Sequence, residues 1–300
     1  MAETFKYLDL ETLSRIKNMQ MLAKGIVEGY VLGLHRSPFR GFSVEFAEYR
    51  QYTAGDDIKY LDWKVFAKSD RYYIKQFEEE TNLACHILLD ASPSMNYKAD
   101  GAVWTKLEYA CRMAACLVYL MIGQRDATGL TIFDNKIQTM LPARGGPVHR
   151  QLLLATLDNV QPGIGDTDIA GPMHSVADRL QKRGMVILIS DLLDDPKRVM
   201  EAMQHFRFLG NEVIVFHVLD NDEIQFPFDT MTEFTDSETK QAVLAMPQSV
   251  RRDYLAEFDS FFGAYRKGCA DLGVDYKLIN STENLELTLS EYLYQRSRLY

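Results

Sequence analysis

Residues 83–95 read Leu83-Ala84-Cys85-His86-Ile87-Leu88-Leu89-Asp90-Ala91-Ser92-Pro93-Ser94-Met95, and the fold turns on this stretch. Leu83 to Leu89 is a largely apolar run without polar alternation. That is how a strand buried on both faces of a helix-covered parallel sheet reads. The run stops at an aspartate, and two serines follow, two residues apart.

Outward from this strand, Trp104 to about Gln124 carries Leu107, Cys111, Ala114, Val118 and Met121 on one helical face. Further strands are expected at Ala127 to Phe133, Met185 to Ile189 and Glu212 to Leu219. Helical patterns lie between them, at about Val148 to Leu157, Ile169 to Lys182 and Pro196 to Phe208. This alternation predicts an α/β fold: a doubly wound, mostly parallel sheet with helices on both faces. Ile137 to Leu141 is expected to return across Asp134-Asn135-Lys136 as an antiparallel edge strand. From Asn221 to Met246 the alternation breaks, and period-two patterns around Thr230 to Phe234 and Lys240 to Leu244 predict an inserted hairpin. A helix from about Pro247 to Leu272, a strand from Val274 to Ile279 and a helix from Asn284 to Arg298 complete the series.

The upstream part has a different character. Asp9 to about Gly25 is helical in pattern. Ile26 to about Phe77 is broken by Gly29, Gly33, Gly41 and Gly55 and alternates at Phe42, Val44 and Phe46 and again at Tyr73, Lys75 and Phe77, predicting short strands and turns. Residues 1–80 are therefore read as an N-terminal module, and residues 81–300 as the α/β domain with its hairpin near 221–246.

The 33 basic and 42 acidic residues leave a net charge of −9, which argues against non-specific binding to nucleic acid or anionic membranes. Cys85, Cys111, Cys116 and Cys269 form no CxxC pair and lie among apolar residues, as buried thiols of a reducing compartment do. The longest apolar stretch, Ala114 to Ile122, falls well short of the roughly 20 residues of a membrane span. The first fifteen residues are too charged for a signal peptide. The expectation is a cytoplasmic protein with no membrane span. The six histidines are scattered, with no HExxH and no close pair, and His86 and His217 fall within buried-strand patterns. There is no GxxxxGK[ST], GxGxxG or GxSxG segment, and Ser92 and Ser94 have no nearby base to make either a nucleophile.

In an open α/β sheet, ligands bind at the strands' C-terminal ends, where the strand order reverses. Three loops there carry oxygen donors: Asp90-Ala91-Ser92-Pro93-Ser94, Gly165-Asp166-Thr167-Asp168 and Ser190-Asp191. Hard cations such as Mg²⁺ take oxygen ligands in octahedral geometry. Hydroxyls of Ser92, Ser94 and Thr167 as direct ligands leave the ion's charge largely unquenched, while Asp90 and Asp191 hold waters and orient the hydroxyls from behind. An open position then suits a carboxylate from a partner. The plainer alternative is that Asp90, Ser92, Thr167 or Asp168 cap the helices that follow.

The order DASPSM, GDTD and ISD resembles the metal-ion-dependent adhesion site of von Willebrand factor A domains. Residues 37–81, SPFRGFSVEFAEYRQYTAGDDIKYLDWKVFAKSDRYYIKQFEEET, look like the signature of a bacterial family catalogued as domain of unknown function 58, whose genes commonly lie beside MoxR-type AAA+ ATPases. The resemblance extends over nearly the whole chain, through FPFD, FTDSET and VDYKLI. It implies a von Willebrand A-like fold, a Mg²⁺ or Mn²⁺ site at Asp90, Ser92, Ser94, Thr167 and Asp191, and a partner presenting Asp or Glu. That partner would be a MoxR-type AAA+ ATPase or a client it remodels. The sequence departs from the pattern at Pro93, which removes an amide donor, at Leu192, where many A domains have glycine, and at Lys59, where arginine is common.

Three functions follow. The first is a non-enzymatic, metal-dependent interaction module acting as an adaptor. The second is a metal-dependent hydrolase, for which Asp166, Asp168 and Asp194 are the local candidate bases. The third is a scaffold with a vestigial metal site that binds through its upstream signature. Within that signature, Gly55-Asp56-Asp57 and Asp62-Trp63 read as a turn with packing, or as a second acidic site or docking surface.

Overall fold

A computed structural model of the protein describes residues 19–31, 43–51, 65, 72–80, 83–165, 167–180, 183–237 and 240–297. The chain forms two compact units, Met1–Arg36 with Ala84–Tyr300, and Ser37–Leu83. Helix α1 (Met19–Val31) belongs to the larger unit. In the smaller unit β1 (Ser43–Gln51) pairs antiparallel with β2 (Tyr73–Glu80), with a register shift between Phe46 and Glu48. The Gly55-Asp56-Asp57 and Asp62-Trp63 segments lie outside the described residues.

The larger unit continues through β3 (Ala84–Asp90), α2 (Lys106–Gly123), β4 (Ala127–Phe133), β5 (Ile137–Arg144), α3 (Pro147–Asp158), α4 (Ala170–Arg179), β6 (Met185–Ser190) and α5 (Pro196–Phe208). It ends with β7 (Glu212–Leu219), α6 (Asn221–Gln225), β8 (Thr232–Thr235), β9 (Ala242–Ala245), α7 (Pro247–Asp271), β10 (Asp275–Asn280) and α8 (Leu285–Ser297). Six strands form one sheet in the order β10-β7-β6-β3-β4-β5. All pairs are parallel except β4 with β5, the expected antiparallel edge. Counted in order of appearance, the strands run 3-2-1-4-5-6, the doubly wound arrangement. Its switch point lies between the first and fourth strands, here β3 and β6.

Both faces are covered. On one, Leu88, Phe133, Val186, Leu188, Val213 and Val215 pack against Met173 and Val176 of α4, Val199, Met203 and Phe206 of α5, and Tyr265 and Cys269 of α7. On the other, α2 lies against β3, β4, β6 and β7 and is flanked by α1, α3 and α8. Ile87, Leu89, Ile187 and Ile189, alternating with the first set, are buried too. Double coverage is why residues 83–89 show no polar alternation. All four cysteines are free and buried.

Two elements differ from the sequence reading. The first helix was expected to end near Gly25, yet it runs through Gly25 and Gly29 to Val31. Burial of Leu22, Ala23, Ile26 and Val27 offsets the roughly 1 kcal/mol that each glycine costs a helix interior. Residues 9–18 of that expected helix lie outside the described residues. This packing also groups α1 with the larger unit, where the sequence reading placed it with the rest of residues 1–80. The second difference is α6, a short helix ahead of the inserted hairpin. Asp220 and Glu223 fix it through a reciprocal capping box. The hairpin itself, β8 with β9, is formed as expected. Among the described residues no helix is long and apolar enough to cross a membrane.

Gly184 precedes β6, donating its amide to Asn211 Oδ1 at 3.0 Å and accepting from the Glu212 amide at 2.8 Å. A methyl group there would collide with the Ala84 carbonyl, whose strand is pinned by its pairing with β6. Gly184→Ala is expected to lose about 1–3 kcal/mol of stability in urea denaturation. Wild-type stability would contradict this close packing of β3 and β6.

Candidate metal centre

The two strands at the switch point each end in the sequence-flagged residues. Asp90 closes β3 and Asp191 directly follows β6, and both carboxylates are fully buried. After Asp90 the chain turns sharply. The Ser92 amide donates to Asp90 Oδ1 at 2.8 Å, and Pro93 opens a single 3-10 turn to Asn96. This turn sets the Ser92 and Ser94 hydroxyls 3.0 Å apart, both buried. Ser92 sits at the N-cap position of that turn but its side chain caps nothing, so helix capping does not account for it. Asp90 Oδ2 accepts from the Ser190 hydroxyl at 2.6 Å, and the Leu192 amide donates to that same hydroxyl oxygen at 2.9 Å.

The backbone after Asp191 is held in a conformation that glycine would adopt more readily. Leu192 has a φ of 53°, which costs a side-chain-bearing residue about 1–2 kcal/mol. The Tyr265 hydroxyl of α7 holds it there by donating to the Leu192 carbonyl at 2.9 Å, and the Leu192 side chain is fully buried. His217 of β7 donates from Nε2 to the Asp191 carbonyl at 2.7 Å and accepts at Nδ1 from the Tyr276 hydroxyl at 2.7 Å. Burial holds its imidazole down to about 4, so the ring is neutral, a satisfied core histidine. His86 differs, its Nδ1 being buried without a hydrogen-bond partner.

Thr167 is half-buried, in a loop tied to the other two on either side of it. Before it, the Gly163 amide donates to the Ala91 carbonyl at 2.6 Å. A side chain at 163 would crowd Asp134 Oδ2 at 2.6 Å, so the close approach needs glycine. After it, the Ile169 amide donates to Asp194 Oδ2 at 2.9 Å. The three expected loops are thus joined at the switch point. Asp168 accepts from the Gly171 amide at 3.1 Å, the capping role weighed for it, and pairs with Arg198 at 2.9 Å. Asp194 pairs with Arg198 at 3.6 Å. Two of the three candidate hydrolytic bases are therefore committed to structural contacts, and Asp166 lies outside the described residues.

The centre also holds residues that the sequence reading passed over. Lys106, at the first position of α2, is fully buried, with its Nζ 2.8 Å from Asp191 Oδ2 and 2.6 Å from Glu223 Oε1. Burial pulls its ammonium down, but Asp191 and Glu223 more than offset this and hold it above the ordinary lysine range. Asp191 Oδ1 receives the Leu193 amide at 3.4 Å, a long contact. One signal was present in the sequence: Thr105 and Glu108 form a capping box, which puts Lys106 in a first helical turn, where a cation opposes the helix dipole. Ser190 stands in the sequence as part of the Ser190-Asp191 loop, but nothing there signals the bond its hydroxyl makes to Asp90. The scattered histidines also gave none of the 3.1 Å approach of His174 Nδ1 to His205 Nδ1, created where α4 packs on α5.

The donor set suits a hard cation. Cis oxygens about 2.0–2.1 Å from an octahedral Mg²⁺ stand about 2.8–3.0 Å apart, and the Ser92 and Ser94 hydroxyls are 3.0 Å apart. Among the described residues, no group of three or more histidine, cysteine, aspartate or glutamate side chains is placed to hold a metal ion.

Fold and site together define a doubly wound α/β domain with hydroxyl and carboxylate groups gathered at its switch point. The chain belongs to the family described as "Protein of unknown function DUF58", whose profile it matches over residues 48–260. An uncharacterized protein of Mycobacterium tuberculosis is 26% identical over 224 residues, covering 73% of this chain and 68% of that protein. One of Mycobacterium bovis shows the same figures. Among solved structures, BatB from Bacteroides thetaiotaomicron is similar at 16% identity and a TM-score of 0.48, covering 72% of this chain and 99% of that one. An aerotolerance-related membrane protein from Bacteroides fragilis is similar at 18% identity and a TM-score of 0.48, covering 73% and 100%.

Burial, reinforced by the Asp191 carboxylate, pushes the Asp90 carboxyl up to about 7, against the hydrogen bonds from Ser190 and Ser92 that favour its charged form. Between about pH 4 and 7 the folded protein then binds a proton at Asp90 that the unfolded chain has released. By linkage, the Asp90 contribution to stability falls as pH rises through this window. Asp90→Asn is neutral throughout. The stability of the wild type relative to this variant, without divalent cations, is expected to decline from pH 4 to 7 and then level off. A difference that stays flat or grows with pH would contradict the assignment.

Proposed function

We propose that the protein is a divalent-cation-dependent interaction module, with Mg²⁺ or Mn²⁺ held by the Ser92, Ser94 and Thr167 hydroxyls. The observation that carries this reading is the buried hydroxyl pair, 3.0 Å apart, set beside two buried carboxylates at the switch point. Bound there, the cation supplies a centre of positive charge that an anionic oxygen can ligate. The rest is the work of the chain. Asp90 is fixed by Ser92 and Ser190 and orients the first loop. Asp191 carries the charge of the third loop, and its carbonyl is anchored by a neutral histidine. Hydroxyl ligands leave most of the cation's charge uncompensated, so a partner's Asp or Glu has reason to complete the shell. Bulk charge supports the same view: at −9 the surface repels acidic partners in general, and a local positive centre makes their capture site-specific.

Membership of the family, with the resemblance read in the sequence, favours a MoxR-type AAA+ ATPase or one of its clients as that partner, the protein serving as an adaptor in the cytoplasm. Association with a MoxR-type ATPase from the same genome, followed by co-purification, is expected in millimolar Mg²⁺ and not in EDTA. It is expected to be lost with Ser94→Ala, provided that variant melts at the wild-type temperature without cations. Capture that ignores EDTA, or survives Ser94→Ala, would sink the proposal.

A further inference from the structure

The cation site as read above has no need of Lys106. A positive charge beside a cation site opposes the cation, and at a helix N-terminus it opposes the helix dipole as well. Yet the ammonium is fully buried and shared between two carboxylates from different parts of the chain, at 2.8 Å from Asp191 and 2.6 Å from Glu223. Asp191 belongs to the loop after β6, and Glu223 to α6, the start of the inserted segment. Glu223 is itself fixed. Its Oε2 accepts from the Asp220 amide at 2.8 Å, and its carbonyl accepts from the Tyr254 hydroxyl of α7 at 2.9 Å. Asp220, fully buried, accepts from the Ala99 amide at 3.1 Å, tying α6 to the segment that leads into α2. The ammonium is thus a deliberate charge in a rigid cradle, one end of which is a proposed cation-site residue.

We propose that Lys106 is an internal counter-ion of the cation site, neutralising Asp191 while the site is empty, and that Glu223, by sharing the ammonium, sets how tightly Asp191 is held. The inference rests on reading Asp90, Ser92, Ser94, Thr167 and Asp191 as a divalent-cation site. Lys106 is a positioning residue. It lets the buried carboxylates exist without the ion and lowers the affinity for the ion, which makes occupancy responsive to cation concentration and to a partner's added ligand. Through Glu223 the inserted segment is part of that balance.

The test is calorimetric titration of the full-length, cation-stripped protein with Mn²⁺, beside melting temperatures with and without Mn²⁺, for the wild type, Lys106→Met and Glu223→Gln. Lys106→Met leaves Asp191 unpaired. It is expected to melt lower without cation, to bind Mn²⁺ about tenfold more tightly, and to regain most of the lost melting temperature at saturation. Glu223→Gln leaves the ammonium undivided on Asp191 and removes a negative charge. It is expected to bind Mn²⁺ roughly three- to tenfold more weakly. A merely structural lysine would not produce shifts of opposite sign. If the wild type binds Mn²⁺ and both variants bind it equally well, or both more weakly, the counter-ion role is wrong and the cation site stands. If the wild type binds no Mn²⁺, the site reading itself fails and the counter-ion role with it. Should Lys106→Met not fold, Glu223→Gln decides alone, with unchanged or tighter binding overturning the inference.

Discussion

Two carboxylates ending neighbouring strands and sealed from water are the constraint around which this molecule is arranged. Leaving a buried carboxylate without a partner costs several kcal/mol, and Asp90 and Asp191 raise that cost by facing the same switch point. The protein answers in two ways. Asp90 takes hydrogen bonds from the Ser92 amide and the Ser190 hydroxyl, and Asp191 takes the Lys106 ammonium. Each answer recruits a different element: the first loop bends back on its own strand, and α2 begins where its first residue can reach across to β6.

The neighbouring features follow from the same requirement. Leu192 is held at a positive φ because the Ser190 hydroxyl must accept its amide while Tyr265 takes its carbonyl. Gly163 is small because the loop carrying Thr167 has to approach Ala91 past Asp134. Glu223 enters from the inserted segment because an ammonium of this kind, in so dry a place, is best shared between two carboxylates. The insertion is therefore more than decoration on the α/β frame, since its first turn is electrostatically part of the centre.

Much of this was legible in the sequence, for identifiable reasons. Strands covered on both faces write continuous apolar runs, so β3, β6 and β7 stood out, and each ends or is followed by a polar residue where the chain leaves the sheet. Because ligand loops in such sheets gather at one edge, the loops carrying Asp90, Ser92, Ser94, Thr167 and Asp191 are expected together at the switch point from the sequence alone. What escaped was set by tertiary contact. The helix through Gly25 and Gly29 survives because its other side is buried, which no local propensity records. Lys106 escaped because lysine in an amphipathic helix is ordinarily a solvent residue, and its two partners are 85 and 117 positions away. The pairing of His174 with His205 likewise depends on the crossing of two helices.

The proposed function requires that these loops hold a single hard cation through hydroxyl oxygens. Electron paramagnetic resonance of Mn²⁺ added to the cation-stripped protein tests it most directly, because bound and free ion are distinguished without a partner or an activity. One saturable Mn²⁺ per chain that Mg²⁺ displaces is expected, and its loss in Ser92→Ala with the fold intact. Free Mn²⁺ throughout the titration, or a bound signal that Ser92→Ala leaves unchanged, would contradict it.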